Sequence, residues 1–296
     1  MKVVNMSTIQ WYPGHMAKAT RQLKEKLPLV DIVFELVDAR IPNASRNPVL
    51  KELIENKKSL LILMKADLAD PSVTKEWIQY YEEKGIKAVT FNGKSSRDIP
   101  KIIQAAKSVL AEEEAKRESK GLIERAMRAV TVGVPNVGKS TLINRFAGKN
   151  LARTGNRPGM TQSQQWIKYK KELELLDIPG ILWPKFEEPL VGEKLALTGA
   201  IKDKIFHLDD ISLFGIDYMQ KNYPGALAKR YNFSKELEKE LTNPDLLLLI
   251  TEKRGYFDDY ERGAEMLLHE LRNGKLGRMS FERPKDLMED AEKTDS

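Results

Sequence analysis

The chain has 296 residues, a length that suggests two domains at roughly 100–200 residues each. With 41% apolar and 31% charged residues it can build a core and is not disordered overall. Cysteine is absent, which excludes a disulfide scaffold, a cysteine-ligated zinc site and a catalytic thiol. The longest apolar runs, such as Leu60–Met64 and Leu246–Ile250, fall far short of the ~20 residues that cross a bilayer. The stretch before Trp11 lacks the apolar centre of a secretory signal, so a cytoplasmic location is expected.

Charge is uneven. Residues 1–184 carry 31 basic and 20 acidic side chains, or +11; residues 185–296 carry 18 and 23, or −5; the whole chain is +6. The first half is therefore the better footprint for a polyanion.

In chain order, Asp31–Asp38, Ser59–Met64, Lys87–Phe91 and Arg128–Gly133 read as short, buried, β-branched strands. Helical patterns lie between them: Pro71–Lys84, opened by Asp70-Pro71 and closed by Gly85, and the long charged stretch Ile99–Lys120. Alternation of strands and helices predicts an α/β fold with a mostly parallel sheet and helices on both faces. Trp166–Tyr169 and Leu173–Leu176 predict a hairpin across Lys170-Lys171, with one antiparallel strand. Beyond Pro184 the strand signals fade, and helices are expected over Val191–Thr198, Ser234–Glu240 and Tyr260–Arg272. The expected division is 1–184 for the α/β domain, 185–281 for a smaller all-helical domain and 282–296 for an acidic, disordered tail.

Gly133-Val-Pro-Asn-Val-Gly-Lys-Ser140 matches G-x-x-x-x-G-K-[ST], with an apolar strand before it and the helix-like Thr141-Leu-Ile-Asn-Arg-Phe after it. In such a loop the backbone of Gly133, Pro135-Asn136-Val137, Gly138 and Thr141 wraps phosphates at a helix N-terminus, with N–H groups from every one of these residues but Pro135, which has none. Lys139 reaches the outer phosphates, and the Ser140 hydroxyl is a Mg²⁺ ligand. Downstream, Asp177-Ile-Pro-Gly180 ends an apolar strand; Asp177 suits the far side of the Mg²⁺ shell and the Gly180 N–H suits a γ-phosphate. Between them, Gly155–Thr161 has the composition of a switch loop, with the Thr161 hydroxyl as a further Mg²⁺ and γ-phosphate ligand.

Guanine is usually read by Asn-Lys-x-Asp after a strand downstream of the phosphate elements, and no such sequence follows residue 180. A near match precedes the phosphate loop: Met64-Lys65-Ala66-Asp67, directly after a strand. A carboxylate at Asp67 accepts from the N1 and N2 donors of guanine, a pair that adenine lacks. The Lys65 stem can lie over the base or the loop, and Asn92-Gly93-Lys94 after the next strand can close over the base. The order is thus base elements first and phosphate elements second.

This order resembles the circularly permuted GTPases. Ile9-Gln-Trp-Tyr-Pro-Gly-His-Met16, Leu36-Val-Asp-Ala-Arg-Ile-Pro42, Gly133–Asn144, Pro179-Gly-Ile-Leu-Trp-Pro-Lys-Phe186 and Leu197-Thr-Gly-Ala-Ile-Lys-Asp203 together look like the YlqF/RbgA family of bacterial ribosome biogenesis GTPases. The resemblance runs from about Ile9 to Phe281. It implies a permuted P-loop GTPase domain followed by a helical RNA-binding domain, a role in late maturation of the large ribosomal subunit, and GTP hydrolysis stimulated by the ribosomal particle. Two positions depart from the family pattern: Met64 stands where its guanine motif begins with Asn, and Ile178 where it usually has Thr.

Many GTPases orient water with a Gln after Asp-x-x-Gly; here Ile181 follows and cannot. The resemblance assigns that work to His15, whose ordinary pKa near ~6.5 suits water activation. By analogy, Asn136 helps to hold K⁺ near the phosphates. In the helical part, Lys253-Arg254, Arg272, Lys275 and Arg278 form basic clusters that suit phosphate contacts, with Tyr256 and Phe257 placed for stacking. Met64 and Ile181 also leave open a second class of protein, a nucleotide-gated RNA-binding scaffold with negligible turnover. An ATP-using P-loop enzyme is a third.

Overall fold

The computed structural model describes residues 14–148, 166–183, 186, 188–257 and 259–287. Among these, six strands form one sheet in the order β3-β2-β1-β4-β6-β5. Strands β1 (Ile32–Asp38), β2 (Lys58–Met64), β3 (Ala88–Thr90), β4 (Met127–Gly133) and β6 (Leu173–Asp177) are parallel. Strand β5 (Trp166–Tyr169) pairs antiparallel with β6 across the expected hairpin.

Five helices accompany the sheet: α1 (Gly14–Lys26), α2 (Pro48–Ile54), α3 (Pro71–Glu83), α4 (Ile99–Glu118) and α5 (Lys139–Ala147). Strand β1 shows why both faces must be covered, because all seven of its residues are buried. Ile32, Phe34 and Leu36 point into a core shared with Ile102, Ile103 and Ala106 of α4 and Leu142 of α5. Val33, on the opposite face, packs with Leu23 of α1 and with Leu50 and Ile54 of α2. Glu35 shares that second face; Arg46 satisfies it with two hydrogen bonds of 2.8 Å. Proline after a capping residue starts two of the helices. The Asn47 side chain accepts from the N–H groups of Val49 and Leu50, and that of Asp70 accepts from Ser72.

The rest of the described chain is helical: α6 (Pro189–Leu197), α7 (Leu208–Asn222), α8 (Ala226–Tyr231), α9 (Lys235–Glu240), α10 (Asn243–Lys253) and α11 (Tyr260–Arg272). Helix α11 packs on α7 and α10, with Leu246, Leu247, Ile250, Ala264, Leu267 and Leu268 in the core.

After α11 the chain returns to the sheet. The tail expected from residue 282 does not begin there, because residues 281–287 belong to the folded part. The Phe281 N–H donates to the Arg40 carbonyl at 2.7 Å, and the Trp77 indole donates to the Glu282 carbonyl at 3.1 Å. The Glu282 carboxylate is buried. It accepts from the Asn43 and Ala44 N–H groups and meets Lys194 Nζ at 3.2 Å. Burial pushes its pKa up, while Lys194 and the two N–H groups pull it down. Composition showed an acidic terminus; it could not show that this first carboxylate has an internal cation.

Candidate nucleotide-binding site

Parallel strands end on one edge of the sheet, and ligands of such sheets bind outside those carboxyl ends where the strand order reverses. That edge carries Asp38 at the end of β1, Met64–Asp67 at the end of and just after β2, Asn92–Lys94 after β3, Gly133–Ser140 from the end of β4 and Asp177–Gly180 from the end of β6. The strands of the two halves meet at β1 and β4, in register from Ile32 opposite Ala129 to Leu36 opposite Gly133.

The phosphate loop closes as its residue types require. Gly138 has φ +109°, open to glycine, and helix α5 begins at the next residue. Gly180 touches this loop: a Cβ there would lie 3.0 Å from the Cα and N of Pro135. The Ile181 N–H donates to the Gly133 carbonyl at 3.0 Å, fixing the turn against the loop. Lys139 Nζ lies 2.6 Å from Asp177 Oδ1, both side chains nearly buried. The expected phosphate-binding cation and the expected Mg²⁺ carboxylate are thus paired with each other. With Ser140, Asp177 forms a hard-oxygen donor set that suits a Mg²⁺ taking the rest of its shell from phosphates and water. Among the described residues no three acidic or His side chains are grouped to hold a metal alone.

The base elements lie beside that loop. The Met64 side chain is buried, with its Cε 3.2 Å from where a Gly138 Cβ would stand. Thr141 Cγ2 comes equally near to Gly93, and Arg145 of α5 donates to the Gly93 carbonyl from Nε and Nη2 at 3.1 and 2.9 Å. Asp67 Oδ2 pairs with Lys94 Nζ at 2.9 Å. The Asn92 side chain accepts from the Lys94 N–H at 2.9 Å and shapes that turn. Lys65 adopts φ +56°, a conformation costing about 1–3 kcal/mol for a non-glycine residue. Its ammonium donates to Asp38 Oδ2 at 3.0 Å. Burial pushes the Lys65 pKa down, against the pull of Asp38. Asp38 is buried as well, but Arg40 and Lys65 outweigh that burial and hold its carboxyl far below the usual carboxylate range.

Sequence reading missed what Arg40 does. It grips Asp38 through Nε and Nη2 at 2.9 and 2.7 Å and donates to the Thr198 carbonyl at 3.0 Å. Asn136 of the phosphate loop donates to the Gly199 carbonyl at 3.0 Å, and Arg272 donates to Ala196 and Leu197 at 2.8 and 3.2 Å. Four successive carbonyls at and just past the end of α6, Ala196 to Gly199, are each met by a side chain. The Asp-Ala-Arg triplet after a buried strand was the available signal; Arg145 gave none.

The arginines expected as phosphate contacts are engaged within the chain. Arg254 pairs with Glu270 at 3.1 Å, Arg272 with Asp203 at 2.8 Å, and Arg278 donates to the Ala66 and Ala69 carbonyls at 2.8 and 2.9 Å. Tyr256 lies under Arg262, and Phe257 is exposed. His15 falls in the first turn of α1, and its side chain is not among the described parts. Thr161 also lies outside the described residues.

A strand-loop-helix phosphate site and a carboxylate-bearing base loop share one sheet edge, with the base half first in the chain. This is the layout of a circularly permuted P-loop GTPase. The family described as 50S ribosome-binding GTPase matches residues 128–270. The chain is 50% identical to ribosome biogenesis GTPase A of Bacillus cereus, over 96% of this chain and 97% of that one. It is 31% identical to mouse mitochondrial ribosome-associated GTPase 1, covering 93% and 90% of the two chains. The GNP-bound crystal structure of YlqF from T. maritima is similar at TM-score 0.63 and 27% identity, over 90% of this chain and 98% of that one. The chain belongs to the ribosome biogenesis GTPase A family, YlqF/RbgA.

Proposed function

We propose that this GTPase acts in late maturation of the large ribosomal subunit in the cytoplasm, where a GTP-ordered loop sets when it docks and hydrolysis sets when it leaves. The carrying observation is the contact of Met64 with Gly138, because it joins the base half and the phosphate half into one pocket.

In that pocket Asp67 accepts from the guanine edge, flanked by Met64, Lys65 and the Asn92-Gly93-Lys94 turn. Lys94 gives up Asp67 when the base arrives. The backbone of Gly133 to Thr141 holds the phosphates, and Lys139 leaves Asp177 for their outer oxygens. Ser140, Asp177 and Thr161 would hold Mg²⁺, which would supply positive charge beside the β- and γ-phosphates. The Gly180 N–H meets the γ-phosphate, and Thr161 orders its loop when that group is present. His15 orients the attacking water. The amide oxygen of Asn136 is the atom that K⁺ would take, supplying the positive charge an arginine gives in other GTPases.

Residues 1–184 are the nucleotide domain in this reading, and the helices of 185–281 form the surface for ribosomal RNA and protein. Lys253 and Lys275 are exposed there for phosphate contacts, whereas Arg254, Arg272 and Arg278 are engaged within the fold.

Phosphate release by the wild-type chain and by His15→Ala, each with and without large-subunit particles, tests this. Slow turnover alone, stimulation by particles and loss of that stimulation in His15→Ala are expected. Absence of stimulation would leave the scaffold reading; tighter ATP than GTP binding would remove the guanine site.

A further inference from the structure

We propose that Arg278 is a positioning residue for guanine recognition, holding the loop that presents Asp67 from outside the sheet. This rests on the guanine site described above and names a part of it that lies more than 200 positions further along the chain.

The base loop hangs from two supports. Its own sheet edge supplies part: the Ala39 N–H donates to the Met64 carbonyl at 2.8 Å, the Ala66 N–H reaches the Phe91 carbonyl at 3.3 Å, Lys65 reaches Asp38 at 3.0 Å and Lys94 meets Asp67 at 2.9 Å. The Met64 side chain is apolar and adds packing without a hydrogen bond. Most of the remaining hold comes from the segment after α11. Arg278 Nη2 donates to the Ala66 carbonyl at 2.8 Å and Nε to the Ala69 carbonyl at 2.9 Å. Between them the Met279 N–H donates to the Leu68 carbonyl at 2.9 Å, and the Ser280 hydroxyl accepts from the Asp70 N–H at 3.2 Å. Leu68 itself packs over Gly274.

One rigid guanidinium thus spans the turn on both sides of Asp67. A planar fork fixes two carbonyls relative to each other, as a flexible ammonium does not. The loop needs this, because Lys65 holds a left-handed conformation that relaxes unless its neighbours constrain it. Position 64 carries no side-chain hydrogen bond, so the brace comes from the other end of the chain. Arg278 is solvent-exposed, so water competes for both carbonyls and the expected effect is moderate.

Inosine triphosphate lacks the 2-amino donor and makes one bond to Asp67 where GTP makes two. The ratio of GTP to ITP affinity therefore reports the placement of Asp67, which general loss of structure would not change selectively. Competition binding on the full-length chain compares wild type, Arg278→Lys and Arg278→Ala, each with and without Met64→Asn. Arg278→Ala is expected to weaken GTP about five- to tenfold and ITP less, so the ratio shrinks, with Arg278→Lys in between. Met64→Asn is expected to restore much of the loss by returning a hydrogen-bonding side chain to the loop. An unchanged ratio in folded Arg278→Ala, or equal weakening of both nucleotides without restoration, overturns the proposal. If Arg278→Ala does not fold, an unchanged ratio in Arg278→Lys overturns it. If wild type shows no GTP preference and Asp67→Asn changes nothing, the guanine site itself has failed, a result distinct from either.

Discussion

The Asn136 amide nitrogen and the Gly199 carbonyl are joined by a 3.0 Å hydrogen bond that ties the phosphate loop to the end of α6. Arg40 makes the neighbouring bond to Thr198, so the sheet edge and the helical part share a seam beside the nucleotide site.

If that bond carries the state of the phosphate loop, amide exchange in residues 196–202 will differ between the GDP-bound and triphosphate-analogue-bound chain. In Asn136→Ala that difference is expected to disappear, while the slowest-exchanging amides of β1 stay unchanged. Hydrogen-exchange mass spectrometry reads both regions at once.

Asp67→Asn replaces an acceptor-only carboxylate with an amide that can also donate. GTP affinity is expected to fall by roughly a hundredfold, the worth of two charge-assisted hydrogen bonds in a partly open site. Xanthosine triphosphate, with an acceptor at C2, is expected to gain. Competition binding with the two nucleotides checks the exchange of preference.

Gly180→Ala places a methyl group 3.0 Å from the backbone of Pro135, which cannot swing aside. The turn must shift by a few tenths of an ångström. GDP affinity is expected to hold, while the triphosphate analogue binds about tenfold more weakly and phosphate release slows. Equal effects on both nucleotides would separate the turn from the γ-phosphate.

Glu270 gives the helical part a pH dependence. The Arg230 hydrogen bonds lead in lowering its pKa to about 2; burial opposes them, and the Tyr231 hydroxyl and Arg254 assist. The pKa is depressed, so the stabilisation is complete above about pH 4.5, where the unfolded chain is ionised, and is lost as pH falls through about 2. Both arginines are partly solvated, so the contribution is about 2 kcal/mol. Glu270→Gln is expected to lower the melting temperature at neutral pH and to flatten its decline below pH 4.5, measured by thermal unfolding across pH.

Strands β1, β2 and β4 were legible because each is a short, mostly apolar and largely β-branched or leucine-rich run flanked by polar turns, and the phosphate loop because glycine spacing leaves few alternatives. Helices α7, α8 and α10 were not legible as helices. Leu246–Ile250 is apolar without period, and its identity depends on the Thr242 cap and on packing against α11. The arginines failed for a different reason. Sequence gives a guanidinium its charge but not its partner, and Arg254, Arg272 and Arg278 each found one inside the fold. The brace on the base loop needs Ala66 and Arg278 in contact, a pairing that no local pattern encodes.

The permutation has a mechanical result. The chain passes the Gly180 turn and reaches Pro189 of α6 after eight residues, with no further strand of the sheet among the described residues in between. Whatever displaces that turn therefore pulls directly on the helices through a short covalent leash. On the function proposed above, a shift of that turn would be handed to the helices along the polypeptide itself.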